Sequence, residues 1–250
     1  MIFKPGWVRD VFDNRDKKYK VPLMKRYFPV PNIVDMRQKT RIKNQDNYGF
    51  CVSFGVSGVY ELASPIKGWL DSSELFVQYN AQYLEGTNGE DAGAQIRNGM
   101  KAIARWGTCS EAMLPYNSPN PYGEPSSACY REAKRHKALV YEKIDPNIND
   151  MKRVLASGFG IVMGLYLYSS FFSDKTSRTG FIQTPNTEAE NFEGGHCIYL
   201  CGYISDLEVF ILVNSWGDEV GDKGYYYLPF SYATNDAIAL DRWTITRVEL

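Results

Sequence analysis

Histidine is the scarcest chemistry-bearing residue in this chain: among 250 residues there are two, His136 and His196. Any base built on imidazole has only these candidates. Cysteine number five, an odd count without a CxxC pair, which excludes a complete disulfide framework and a zinc ribbon and leaves at least one thiol free. No excess of one charge sign exists, since 28 Lys and Arg face 29 Asp and Glu for a net charge of −1. That removes the electrostatic case for nucleic acid or an anionic membrane as partner. No apolar run reaches the ~18 residues of a spanning helix, and the opening from Met1 to Gly6 carries no signal-peptide core, so the chain as it stands reads as cytoplasmic or already processed. Internal repeats, low-complexity tracts and metal-ligand clusters are missing too, and no metal or cofactor is expected.

What is present is a globular composition, 44% hydrophobic and 14% aromatic, in a chain long enough for one large domain or two lobes sharing a cleft. Residues 1–34 combine Pro5, Pro22, Pro29 and Pro31 with mixed charge and no periodicity, and read as an extended arm lying on the body, with Trp7, Phe12, Tyr19 and Phe28 as anchors. Residues 35–137 read as a helical lobe. Asp71-Ser72-Ser73-Glu74 resembles a capping box ahead of a helix facing inward through Leu75, Phe76, Tyr79, Tyr83 and Leu84. A second helix follows with Ile96, Met100, Ile103 and Trp106 inward and Gly107 as its stop. From 138 to 250 the pattern turns to strands over 139–144, 161–168, 197–203, 208–213 and 224–228, with one helix over 150–157. Helices first and strands second predict an α+β protein of two lobes with function at the seam.

At that seam the sequence places three residues of complementary chemistry. Cys51 ends a loop of Asn, Asp and Gly and starts an apolar run of helical spacing, where unpaired N–H groups and the helix dipole favour a thiolate. Gly55 and Gly58 leave room for a close neighbour. Gln45, six residues upstream, can offer a side-chain amide to a developing oxyanion. His136 sits in a charge-dense stretch that reads as solvated surface, which leaves His196, at the start of a buried strand behind Gly194 and Gly195. Eighteen residues on, Asn214 can fix the imidazole tautomer while Trp216 keeps water from that hydrogen bond.

These segments resemble the papain-like cysteine peptidases. The likeness is carried by Lys43-Asn44-Gln45 with Cys51 and Phe54, by Gly194-Gly195-His196 leading into Gly202-Tyr203, and by Asn214-Ser215-Trp216-Gly217 with Gly221 and Gly224-Tyr225. Asp91-Ala92-Gly93-Ala94, Trp106-Gly107-Thr108-Cys109 and Leu114-Pro115-Tyr116 extend it over about residues 35 to 250, and the arm from Gly6-Trp7 to Asn14-Arg15-Asp16 resembles the leader of the short bacterial and viral branch. The resemblance implies a papain-like two-lobed fold, with a helical N-terminal lobe and a β-barrel-like antiparallel C-terminal lobe. It implies Cys51 as nucleophile, His196 as base, Asn214 as orienter, Gln45 as oxyanion donor and Trp216 as shield. Gly93 and Ala94 fall where the family pairs with substrate backbone, Gly195 lines the same cleft, and Ile96, Gly164 and Cys197 fall near the pocket for a substrate side chain.

The implied activity is endopeptidase hydrolysis through a thiolate–imidazolium pair and an acyl-enzyme, by a monomer acting on peptides or proteins in a reducing, cytoplasmic or virion-associated setting. The rivals are a papain-fold amidase or acyltransferase and an inactive binding scaffold. Tyr48 stands where secreted relatives have half of a disulfide, and Val52 and Val220 replace two tryptophans, departures that resemble the bacterial branch.

Overall fold

The structure, a computed structural model, describes residues 4–22, 27–64 and 71–249; parts of the expected arm, at 1–3 and 23–26, lie outside them. In chain order the elements are β1 (Trp7–Val8), β2 (Ile33–Asp35), α1 (Cys51–Ala63), α2 (Glu74–Glu85), β3 (Ala94–Gln95), α3 (Ile96–Arg105) and α4 (Ser127–Ala133). The second half holds β4 (Ala138–Lys143), α5 (Ile148–Ala156), β5 (Ile161–Tyr168), α6 (Asp174–Thr179), β6 (Phe192–Ile204), β7 (Val209–Val213), β8 (Tyr225–Pro229), α7 (Phe230–Ala233) and β9 (Ala239–Val248). Helices thus precede strands, the α+β arrangement of a papain-like fold. No helix among the described residues is long and apolar enough to cross a membrane.

Helix α1 is the centre. Eleven of its 13 residues are buried, as expected of a helix apolar on every side. A Cβ on Gly55 would lie 2.8 Å from both Cys197 Sγ and Val162 Cγ2, and one on Gly58 would overlap the Tyr199 ring, so these two glycines let α1 press onto β5 and β6. The strands form a seven-stranded sheet in the order β4-β9-β5-β6-β7-β8, with β2 added antiparallel to β6. Ile33–Asp35, at the end of the expected arm, is thus woven into the second half.

Several local expectations change. Helix α2 is capped by Ser73, whose Oγ accepts the Phe76 N–H at 3.2 Å, while Glu74 turns inward to Lys43 Nζ at 2.6 Å and does not reach back as a capping box requires. Its inward face mixes Leu75, Phe76, Val77 and Ala81 with polar residues. Gln78 and Gln82 are buried and donate to the Gly93 carbonyl at 3.3 and 3.0 Å, whereas Tyr83 is exposed. Strand β6 starts at Phe192, so His196 lies inside the ladder, opposite Leu165, and not at its beginning. Strand β9 was hidden by buried polar residues that break its apolar alternation. Arg242 within it is satisfied by Asp236 at 2.9 Å and by the Ala233 and Ala239 carbonyls.

The arm docks through Trp7 and Tyr19 but not through the other two aromatics its sequence suggested. Trp7 is 6% exposed, but Phe12 and Phe28 are 89% and 63% exposed. Polar chemistry replaces them. Asp10 is buried, taking the Arg97 backbone N–H at 3.0 Å and the Trp243 indole at 2.8 Å, and Asp16 takes the Arg97 guanidinium at 2.6 Å. Farther on, Tyr19 N–H donates to the Lys143 carbonyl at 2.8 Å.

Candidate active site

The first turn of α1, the middle of β6 and the loop after β7 converge. Cys51 opens α1, and its Sγ accepts the backbone N–H of Cys197 at 3.4 Å. His196 is the preceding residue on the same strand, so β6 carries both the imidazole and the N–H that meets the sulfur. His196 Nε2 and Asn214 Oδ1 are 2.8 Å apart. That oxygen also accepts the Ser215 N–H at 2.8 Å, so it acts as an acceptor and holds the imidazole in the tautomer with hydrogen on Nε2 and none on Nδ1.

Trp216 stacks on the imidazole with centroids 4.8 Å apart and 29° between planes. Its other side meets Phe172, stacked at 5.8 Å, and Phe171, edge-on at 5.7 Å. These two phenylalanines, in the turn after β5, were not singled out from sequence, where they look like ordinary apolar filling. Ser215 was missed as well. Its hydroxyl donates to Gln45 Oε1 at 2.6 Å and the Gln45 N–H donates to its carbonyl at 2.8 Å, which fixes the amide. Gln45 Nε2 spends one hydrogen on the Tyr48 carbonyl at 2.7 Å. Tyr48 itself stacks on Phe50 at 5.3 Å beside Tyr116 and Tyr122, an aromatic cluster, and all five cysteines are free.

Behind the site lies a buried ionic cluster in which Lys43 meets Glu61 at 3.1 Å, Asp71 at 2.7 Å and Glu74 at 2.6 Å. Burial pushes Glu74 up to about 8 although Lys43 pulls it down. Among the described residues no group of three or more His, Cys, Asp or Glu is placed to hold a metal ion.

Cys51 and His196 are both fully buried. Burial pushes the Cys51 thiol up to about 12 against the pull of N–H groups from Cys197, Gly6, Val52 and Cys51 itself. The same burial brings His196 down to about 4, with Asn214 opposing. Burial thus opposes the thiolate expected from the helix start, with desolvation working against the dipole and the N–H donors.

The burial comes with the arm. Gly6 donates to the Gly195 carbonyl at 3.3 Å and accepts the Ala94 N–H at 2.9 Å, and β1 pairs parallel with β3, Trp7 opposite Ala94. A Cβ on Gly93, whose φ is +72°, would overlap the Gly6 carbonyl, so the backbone comes as near as glycine allows. Of the expected cleft residues, Gly93, Ala94, Gly164 and Gly195 face the arm, and Trp216 covers His196. Ile96 is instead buried in the main core at the head of α3, and the Cys197 side chain points at Gly55, because the strand alternation that aims its N–H at the sulfur sends its own sulfur toward α1. His136 belongs to the turn after α4, where its carbonyl accepts the Thr108 N–H at 3.1 Å.

A helical half bearing a cysteine at a helix start, facing a sheet that bears an Asn-oriented histidine, defines a thiol hydrolase of the two-lobed kind. The profile described as Papain family cysteine protease matches residues 30–240, and the chain belongs to that family as a cysteine-type peptidase. It is 31% identical over 96% of its length to an uncharacterized peptidase C1-like protein of Acanthamoeba polyphaga mimivirus, spanning 84% of that protein. Peptidase 1 of Psoroptes ovis is 30% identical over 79% of the chain, which spans 60% of that relative. Among solved structures, xylellain, a cysteine protease from Xylella fastidiosa, superposes with a TM-score of 0.88 at 28% identity, covering 98% of each chain. Bromelain from Ananas comosus, at 22% identity and TM-score 0.67 over 86% of this chain and 98% of its own, shares the fold.

Proposed function

We propose that the chain is a cysteine endopeptidase in which Cys51 attacks a peptide carbonyl and His196 moves the proton. The observation that carries this reading is the placement of Asn214 Oδ1 2.8 Å from His196 Nε2 on the same strand whose next N–H reaches Cys51 Sγ at 3.4 Å. Nδ1 takes the thiol proton as sulfur bonds to the carbonyl carbon. The carbonyl oxygen, now negative, takes the second amide hydrogen of Gln45 and the Cys51 N–H. His196 then returns the proton to the leaving amine, giving a thioester, and the same nitrogen deprotonates the water that cleaves it. Asn214 holds the ring throughout, and the Phe172–Trp216 stack keeps water from the Asn–His bond.

The same reading takes the N-terminal arm as a cover that must shift before substrate enters. Its support is the complete burial of Cys51 and His196 beside Gly6, whose N–H faces Cys51 and whose carbonyl accepts the Ala94 N–H at 2.9 Å. An arm so oriented blocks the nucleophile without presenting it a bond to cut. Shifting it would admit water, lower the thiol pKa and raise that of the imidazole, so the ion pair forms on opening.

An epoxysuccinyl-type thiol probe followed by mapping of the modified peptide tests this. Label on Cys51, with peptide hydrolysis lost in Cys51→Ala, supports the assignment. Label spread evenly over Cys109, Cys129, Cys197 and Cys201, or hydrolysis surviving in Cys51→Ala, refutes it.

A further inference from the structure

Trp7 fills a pocket on the sheet side of the cleft. Its indole lies flat over two glycines, Gly164 of β5 and Gly195 of β6: a Cβ on Gly164 would overlap the ring and one on Gly195 would lie 2.9 Å from Cε3. Neither glycine has a positive φ, so each is there for the space it leaves and not for its backbone freedom. Tyr166 flanks the ring at 5.1 Å. At the far end the indole Nε1–H donates to Asp241 Oδ2 at 3.2 Å.

Asp241 is aimed there by an irregularity. The β5–β9 register advances from Val162 opposite Trp243 to Gly164 opposite Leu240, one extra residue on β9, and Asp241 within this bulge has φ of +50°. Bulges re-aim side chains, and a non-glycine residue in the left-handed region persists only where its surroundings demand it. Asp241 is 5% exposed. Both N–H groups that donate to it, Trp7 Nε1 and the Asp10 backbone at 2.7 Å, belong to the arm. Among the described residues its other oxygen faces the cation of Lys143, 3.8 Å away. When the arm leaves, a buried carboxylate is left wanting donors, which penalises any occupant that brings none.

Resting on the peptidase reading, we propose that Asp241 determines the specificity of this pocket. The pocket selects peptides presenting a side chain with an apolar body and an N–H donor at its tip, tryptophan first and arginine second, and Trp7 is its resident occupant. Arginine ranks second because Lys143 already faces the carboxylate. Leucine and valine leave it unsatisfied.

The test uses the full chain carrying Trp7→Ala, which vacates the pocket, and fluorogenic peptides varied singly at each of the four positions preceding the scissile bond. One position should favour Trp, then Arg, over Leu by about 10- to 100-fold in kcat/KM. Adding Asp241→Asn, which keeps an acceptor and tolerates the left-handed backbone, should retain the Trp preference and lose that for Arg. Adding Asp241→Gly should bring both to within about threefold of Leu, and if the glycine variant fails to fold, the fall in the Arg-to-Trp ratio in the asparagine variant decides. A ranking unchanged by either substitution, or Leu and Val preferred over Trp and Arg at every position, overturns the proposal while leaving the peptidase standing. Hydrolysis of no peptide by any of these chains overturns the peptidase reading and this one with it.

Discussion

Replacing Trp7 by alanine should open the site. The ring is 94% removed from solvent and donates one buried hydrogen bond, and truncating a buried tryptophan costs about 3–5 kcal/mol. Nearly all of that is lost from the docked arm, because the pocket wall is built of glycines and β-strand backbone that stay in place. With 1.4 kcal/mol per factor of ten, even 3 kcal/mol raises the open fraction about 100-fold. Alkylation of Cys51 under native conditions should quicken by about that factor, since the fully buried sulfur reacts only from the open state. A second readout is the Ala94 amide, which donates to Gly6 at 2.9 Å and should lose its hydrogen-exchange protection in parallel. The buried thiols of Cys109, Cys129 and Cys201 serve as internal controls. A change at Cys51 below about threefold refutes the cover, and an equal acceleration at all five cysteines shows that Trp7 holds the whole fold and refutes the arm mechanism equally.

Four further outcomes are expected. Gln45→Ala should cut kcat by about 10²–10³ with KM nearly unchanged, as loss of one oxyanion donor does, and a dominant KM effect would make Gln45 a substrate-positioning group. Asn214→Ala and Trp216→Ala should combine less than additively in kcat/KM, because both serve the 2.8 Å His196–Asn214 bond; additivity in a double-mutant cycle contradicts that. Lys43→Met should cost about 3–5 kcal/mol in urea unfolding, by leaving Glu61 and Glu74 buried without their cation. Arm docking should weaken as pH rises: burial, then the charge of Asp10, raises Asp241 to about 6, with Lys143 and the Trp7 and Asp10 donors opposing, and burial likewise raises Asp10, which faces Arg97 and Lys143. A raised acid holds its proton in the docked state, whereas Asp10, carried into water with the arm, releases it near 3.9, so docking is tightest at low pH and loosens as pH climbs above that value. Ala94 amide protection, corrected for intrinsic exchange, should therefore be lower at pH 7.5 than at pH 5, and constant protection counts against the carboxylate pair as a clamp.

The groups proposed to react were legible in the chain because their chemistry is local. A cysteine at the junction of a turn-rich loop and an apolar helix, one histidine not committed to a charged surface, and an Asn-Ser-Trp turn each carry their meaning within a few residues. Helix α1, helix α3 and strands β5, β7 and β8 were equally readable, since period and punctuation are short-range properties. Strand β9 was not, because Asp241 and Arg242 are polar residues whose burial is made tolerable by Asp10, Trp7, Asp236 and carbonyls distant in sequence or beyond the strand itself. The polar residues on the inner face of α2, beside the expected Leu75 and Phe76, were missed for the same reason: Gln78 and Gln82 are inward only because the Gly93 carbonyl is there to receive them.

The arm shows the division most sharply. Its extended, proline-punctuated character is written in residues 1–34, since so short and polar a segment cannot build a core of its own. Which of its side chains would dock is not. Phe12 and Phe28 are as hydrophobic as Trp7, yet they remain in water, and Trp7 is buried, because two glycines from different strands and a carboxylate lifted by a β-bulge meet at one place. The protonation of Cys51 and His196 is decided in the same way. Residue identity places a thiol and an imidazole together, but whether they rest neutral or as an ion pair depends on how much water surrounds them, and that was set by the chain folding its own N-terminal segment over the cleft.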